Sequence, residues 1–355
     1  MRRIHLWNNI HMIQTSKFLA FIDMNTLEVI HAEEINNPNY FSFIGGNWFA
    51  DSKYLYVRGI TAASGSGSVC YAVMDKTTFK YVTVIRQNGG SSFGDNDALV
   101  GDIVCQGSYF FLSSNTYIYL WVFQLAFDGL GVPTNFAYVT LAHWAGGELS
   151  PPAKAFFGDD KFIYVIYTNH SSLYTIEKKQ FVPSNKPFNN VAGNSIVGSS
   201  PGGFSQWNYK YSENGKNFIL LSFGSSNNAS ISVMNIDTLA LHQQLATNQA
   251  DSFLTFDYQT GKQIYTQPYT VAGYELNGNG YDNLLRFIRE GETWIRELYY
   301  VPALKALNGT SMTRQFTLGT FAYIKDEDLY LKVHSRLFAK LGDANIISHY
   351  KEVID

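Results

Sequence analysis

Short runs of β-branched and aromatic residues recur along the chain, alternating or continuous, and each is bounded by Gly, Asn, Asp or Ser. Periodicity at the 3.6-residue spacing of a helix is scarce. The clearest runs are Lys53–Arg58, Tyr109–Leu112, Lys161–Tyr167, Asn217–Phe223 and Asp328–Val333. Polar turns such as Asp51-Ser52, Asp159-Asp160, Asn214-Gly215 and Lys325-Asp326-Glu327 precede them. The pattern predicts an all-β chain.

A second element repeats with these strands. An apolar strand ends at Asp or an equivalent, turns within about three residues and leaves through another apolar strand, which reads as a tight hairpin. The clearest copies are Phe21–Ile30 around Asp23 and Thr26, Val73–Val82 around Asp75 and Thr78, and Met234–Leu239 around Asp237 and Thr238. Looser copies fall at Phe127–Gly129, Thr175–Lys178, Tyr300–Lys305 and Leu341–Ala344. They recur about every 50 residues, and four short strands per unit at that period predict the blades of a propeller. One such sheet buries neither face alone, whereas sheets stacked radially cover each other. The expected single domain, 1–355, divides into blades 1–37, 38–90, 91–145, 146–196, 197–248, 249–312 and 313–355, with six or eight blades as open alternatives. Closure requires a strand near Arg3–Trp7 to complete the sheet built by Asn345–Val353.

On these hairpins the chain resembles the β-propeller superfolds, and its Asp-x-x-Thr turns look like those of YVTN or NHL-type repeats. The resemblance implies a seven-bladed, all-β propeller. The Trp-Asp and Gly-His pairs of WD40 repeats are absent. Paired glycines at 45–46, 89–90, 146–147 and 202–203 are similar to kelch repeats, without the Tyr and Trp that follow at fixed offsets. Ser212–Phe218 is one residue short of a sialidase Asp-box, and Gly291-Glu-Thr293-Trp294 matches only its second half. No catalytic residue carries over from any of these families.

The composition, 46% hydrophobic and 15% charged with 24 Tyr and 26 Phe, predicts a folded chain with a sizeable core. Its formal charge of −3, without a Lys/Arg cluster, disfavours nucleic acid as main partner. Asn8, Asn9 and His11 interrupt the apolar stretch after Arg2 and Arg3, so no signal peptide is expected. The longest apolar run, Tyr117–Phe127, suits a buried strand and is too short for a membrane helix; the expectation is a soluble chain. Cys70 and Cys105 read as separate buried thiols, one bridge between them being the alternative. Of three glycosylation sequons, at Asn169, Asn228 and Asn308, none argues for secretion, since about four would arise by chance in so Asn- and Ser-rich a chain.

No local pattern among the eight histidines makes a zinc site. Ser64–Ser68 lacks the strand-to-helix context of a nucleophile elbow. Glu275–Gly280 partly imitates a calcium loop, but Arg286 stands where the bidentate Glu belongs, and a Gly/Asn hairpin is the better reading. Asp95, Asp97 and Asp102 form an acidic group that reads as solvated turn residues.

Loop length carries more information. In a propeller the connections between blades, and those between second and third strands, emerge on one face. Here these are the long segments Ile60–Ser68, Asn88–Asp97, His143–Pro152, Val182–Phe204 and Gly224–Ala229. Phe93, Trp144, Phe188 and Trp207, among Ser, Gly and Asn, are the candidate binding residues, a mixture typical of adaptable recognition surfaces. The expected function is a non-enzymatic binding or structural propeller that recognises a protein or glycan through this face, as in a virion structural or attachment protein. The alternative is a metal-dependent, lactonase-like hydrolase with its site in the central channel.

Overall fold

The computed structural model describes residues 2–35, 41–61, 68–88, 99, 101–113, 119–143, 153–168, 174–183, 188–196, 205–223, 229–257, 259–267, 283–300, 322–325, 328–334, 337–341 and 349–353. Among them every regular element is a strand.

Two compact units divide the chain, Met1–Ser195 and Ile196–Asp355. The first opens with an antiparallel meander of β1 (Arg2–His5), β2 (Ile10–Gln14), β3 (Phe18–Asp23) and β4 (Glu28–Glu34). The second meander is β5 (Phe41–Ala50), β6 (Tyr54–Thr61), β7 (Ser68–Asp75) and β8 (Tyr81–Asn88), and the third is β9 (Val104–Gln106), β10 (Tyr109–Ser113), β11 (Tyr119–Phe127) and β12 (Pro133–His143). Their outer strands β8 and β12 pair in parallel, Gln87 with Phe136 and Asn88 with Ala137, which joins both meanders into one eight-stranded sheet. The fourth is β13 (Ala153–Gly158), β14 (Phe162–Thr168), β15 (Tyr174–Phe181) and β16 (Phe188–Ile196).

In the second unit, β17 (Ser205–Glu213), β18 (Lys216–Phe223) and β19 (Ala229–Asn235) lead into β20 (Ala240–Phe256), 17 residues long. Its start pairs with β19 and its end with β21 (Gln263–Gln267), so one strand serves two meanders. β22 (Asn283–Glu290) and β23 (Thr293–Tyr300) complete the second of these. β24 (Ala322–Lys325), β25 (Asp328–His334) and β26 (Leu337–Leu341) form a three-stranded sheet, and β27 (His349–Val353) pairs with β23.

The period of two along each strand explains how these sheets stack. On β6 and β7, Leu55, Val57, Cys70, Ala72 and Met74 pack with Met12, Leu19 and Phe21 of the first meander. Their sequence neighbours Tyr54, Tyr56, Val69, Tyr71 and Val73 pack with Phe110, Leu112, Phe123 and Phe136 of the third. Successive side chains point to opposite faces of a sheet, so a strand buried on both faces reads as a continuous apolar run. In the second unit a comparable core joins Tyr211, Phe218, Leu220, Ile231 and Val233 to Phe256, Ile264, Phe287 and Trp294.

The Asp-x-x-Thr turns take one shape wherever they are described. Asp75 Oδ1 accepts from Thr77 N, Thr78 N and the Thr78 hydroxyl, while Phe79 N closes the turn onto Asp75 O at 2.8 Å. Leu27 N closes onto Asp23 O in the same way, and Gly261 N onto Asp257 O. The fifth residue has a left-handed backbone: Leu27, Phe79 and Leu239 at φ 57–63°, and Gly261 at 68°. In the third copy the capping side chain is Asn235, which accepts from Asp237 N and Thr238 N. This corrects the expected cap at Asp237, because an Asn oxygen serves the turn equally well. The copy at Asp257–Gly261 was not anticipated.

Three further expectations are corrected. Thr175–Lys178 is not a hairpin but the middle of β15, where Glu177 sits across from Val165 and turns its carboxylate to neighbouring side chains rather than to a turn. The long segment Val182–Phe204 contains a strand, β16. The terminal strands were expected to share a sheet; instead β1 pairs with β2 and β27 with β23. β1 and β2 are joined by a tight turn through Asn8 and Asn9, both at positive φ, so their pairing closes only a short loop and is entropically cheap.

Candidate functional site

The two ends of each meander differ. In five meanders one end is closed by a backbone hydrogen bond that joins the first turn, or the strand just leaving it, to the last turn or to the end of the strand entering it. Met24 N donates to Asn9 O and Lys76 N to Lys53 O, both at 3.0 Å; Leu125 N donates to Ser108 O at 2.7 Å. In the second unit Ile236 N donates to Asn217 O and Arg289 N to Lys262 O, both at 2.9 Å. Side chains add to this end. Lys53 N and Tyr54 N both donate to Asp51 Oδ1, the Tyr56 hydroxyl donates to Asp51 Oδ2 at 2.6 Å, and Lys76 Nζ reaches Asp51 O at 2.7 Å. The repeated cap at Asp159 accepts from Lys161 N and Phe162 N.

At the opposite end the second strand of each meander runs into its connection to the third. Gln14, Arg58 and Ser113 occupy one equivalent position toward that end, four residues after Ile10, Tyr54 and Tyr109, where their strands begin; it is the last residue of β2 and β10, while β6 runs on to Thr61. Each lies on the same strand face as Met12, Tyr56 and Phe111, which pack toward the following meander. All three are polar and buried, Arg58 at 3% exposure. Gln14 Nε2 and Ser113 Oγ find no hydrogen-bond partner among the described residues. Placing unsatisfied polar groups in a stacked core is unfavourable, so a repeated polar position at one end of apolar strands marks that end as different from the rest of the core.

The group is richest between the second and third meanders. Arg58 on β6 stands directly across from Tyr71 on β7, and Trp121 on β11 flanks the same core. Burial pushes the Tyr71 phenol well above the ordinary tyrosine value, and the Arg58 charge pulls the other way. The phenol therefore stays protonated, a neutral donor beside a buried cation. Between the third and fourth meanders a second polar group forms, in which the Tyr167 hydroxyl donates to Glu177 Oε1 at 2.9 Å and Lys179 Nζ pairs with Glu177 Oε2 at 2.7 Å. Burial first, and then the Glu177 charge, raise the Tyr167 phenol. Among the described residues no three His, Cys, Asp or Glu side chains come together as metal ligands.

Of the residues expected to bind, Phe188 lies on β16, half-buried, with its ring 5.5 Å from Phe181 and 5.8 Å from Phe111; it packs the third meander against the fourth. Trp207 lies on β17, paired through its backbone with Ser222. Phe93 and Trp144 lie outside the described residues, as do Asp95, Asp97, Glu275–Gly280, residues 64–67 and the three sequon asparagines. Asp102 is described, and its N–H donates to Phe156 O at 2.9 Å. Cys70, which is buried, and Cys105, which is half-buried, are not joined by a disulfide. Arg58 was legible as an arginine inside the run Tyr54–Ile60; taking it as the strand's end hid that signal.

Four-stranded antiparallel meanders stacked face to face are the units of propellers, and this chain is an all-β protein of the β-propeller class. Neither the protein-family models nor the curated proteins compared with it give a match. Among solved structures it is similar to a putative 6-phosphogluconolactonase from Bacteroides uniformis, with 13% identity, 98% of each chain covered and a TM-score of 0.49. It is also similar to Kluyveromyces lactis Hsv2, with 10% identity over 98% of this chain and 95% of that one, at 0.48. A functionally unknown protein from Desulfotomaculum acetoxidans has 11% identity over 98% and 94%, at 0.47. Such likenesses carry no argument about activity.

Proposed function

We propose that the chain is a binding protein, a single seven-bladed propeller that takes a protein or glycan partner on the end of its sheets opposite the hydrogen-bonded turns. One observation carries this reading: the two ends are built differently, one closed on itself in five meanders and the other bearing the repeated buried polar position Gln14, Arg58 and Ser113. Backbone groups already paired between turns offer little to a ligand, whereas recognition resides where connections of varied length leave a rigid scaffold. Phe93 and Trp144 belong to such connections in the sequence and supply aromatic contact area. Low charge and many uncharged hydrogen-bonding groups suit a broad contact surface, as in a subunit of a larger assembly such as a virus particle.

Crosslinking mass spectrometry of the protein in its native assembly, together with a glycan array of the purified chain, tests this. Crosslinks or glycan binding lost in Phe93→Ala and Trp144→Ala, and retained when Lys53 and Asp128 at the turn end are changed to Ala, support it. Contacts confined to the turn end, or a protein that sediments in its source as a free monomer and binds no glycan, overturn it.

A further inference from the structure

We infer that β27 is an exchangeable strand, which docks on the outer edge of β23 in a second copy of the chain as it does in its own, and so links copies to one another. The strands β20–β23 already make a complete four-stranded meander, and β27 is a fifth strand laid antiparallel along its outer edge. Among the described residues the sheet that β27 follows in the chain, β24–β25–β26, has three strands where every meander before it has four. The last strand thus passes over its nearest sheet and takes all its pairing from β23, with residues 301–348 lying between the two in sequence.

The residues of this ladder specify its register. Val353 stands opposite Ile295, Glu352 opposite Arg296, Lys351 opposite Glu297 and Tyr350 opposite Leu298. Apolar meets apolar and each charge meets its opposite, the pairing that stabilises an antiparallel ladder. A slip of one residue in one direction sets Arg296 opposite Lys351, and in the other direction Glu297 opposite Glu352, so like charges oppose both slips. A hairpin takes its register from its turn; no turn joins β23 to β27, and the order of residues does that work instead. The segment carrying the matching order is this chain's own, which selects a second copy as the partner. Because the rungs of β27 all lie on β23, the same ladder forms unchanged when the strand comes from another copy, the condition that makes exchange of an identical element cheap. Only the tether favours the strand's own copy, by raising its effective concentration, so exchange grows as copies are brought together. This edge is the flank of a sheet, apart from the strand end proposed above, and the two readings stand or fall separately.

The test uses full chains carrying L298C or Y350C, one on each side of a single rung, oxidised with glutathione disulfide alone and as a mixture and read by intact mass. A covalent pair of one L298C chain with one Y350C chain is expected in the mixture, increasing with protein concentration and missing from either variant alone and from the unsubstituted chain. Adding K351E/E352R to the Y350C chain is expected to abolish this pair, and adding R296E/E297K to the L298C chain as well is expected to restore it. A second measurement needs no substitution: carbodiimide crosslinking of mixed isotopically light and heavy chains is expected to join Lys351 of one copy to Glu297 of another. Links confined to single copies, in the isotope mixture or in the double variant L298C/Y350C, or no link at these positions at all, overturn the inference.

Discussion

Gln243 holds the backbone of Trp294 with both ends of its amide: Nε2 donates to Trp294 O at 3.1 Å and Oε1 accepts from Trp294 N at 3.0 Å. The side chain thus acts as one more rung of sheet between the outer strands of neighbouring meanders, β20 and β23. Trp294 is fully buried, and its indole N–H donates to the Tyr211 hydroxyl at 3.1 Å. In the first unit Glu33 serves a related purpose, accepting from Tyr81 N at 2.9 Å.

Replacing Gln243 with Leu keeps the volume but leaves a buried N–H and a buried C=O at Trp294 without partners. At about 1–3 kcal/mol for each of the two groups, Gln243→Leu is expected to destabilise the protein by roughly 2–6 kcal/mol. Urea unfolding monitored by tryptophan fluorescence measures this as a lower midpoint with unchanged slope.

Gly101 marks a close approach between the chain entering the third meander and β13 of the fourth. Its φ is +74°, and a Cβ there would fall well inside contact distance of the Phe156 carbonyl and amide. Both the backbone strain and the clash oppose a side chain, so Gly101→Ala is expected to lower the melting temperature sharply. Gly129→Ala is the control, since nothing lies within 4 Å of a Cβ there; a shift no larger than the control's would contradict the packing described.

His5 supplies a pH dependence. Burial pulls its imidazole from 6.5 down to about 3. The unfolded chain then binds the proton more readily, so the stabilisation is complete above about 6.5 and is lost as pH falls toward 3. His5→Gln is expected to flatten the acid limb of a stability-against-pH curve in that window, measured by urea midpoints at successive pH values. An unchanged slope would show that His5 titrates normally in the folded state.

Cys105 bears on reactivity. Its thiol donates to Gly107 O at 3.6 Å, and burial, with the Asp51 charge adding, pushes it up to about 12. The thiolate is the nucleophile, and Cys70 is buried. Iodoacetamide at pH 8 is therefore expected to label neither thiol in the folded protein and both in urea, as read by intact mass.

Much of the architecture is written locally. Alternating or continuous β-branched runs specify strands, and Asp23, Asp75 and Asp128 specify turns because a carboxylate beside its own backbone N–H groups caps them whatever the distant context. Such interactions span a few residues, so the residues alone declare them, and the propeller class follows from their repetition. What the neighbours decide could not be read in this way. Thr175–Lys178 carries the letters of a turn, yet the ladder with β14 keeps it extended. Phe188 looks like a loop aromatic until Phe111 and Phe181 close around it. Arg58 looks like a polar strand end until β7 and the third meander bury it beside Tyr71. The sequence by itself therefore determined strands, turns and repeat, whose energies are local; only the tertiary structure decided which polar groups lie between sheets, because that depends on surfaces contributed by residues tens of positions away.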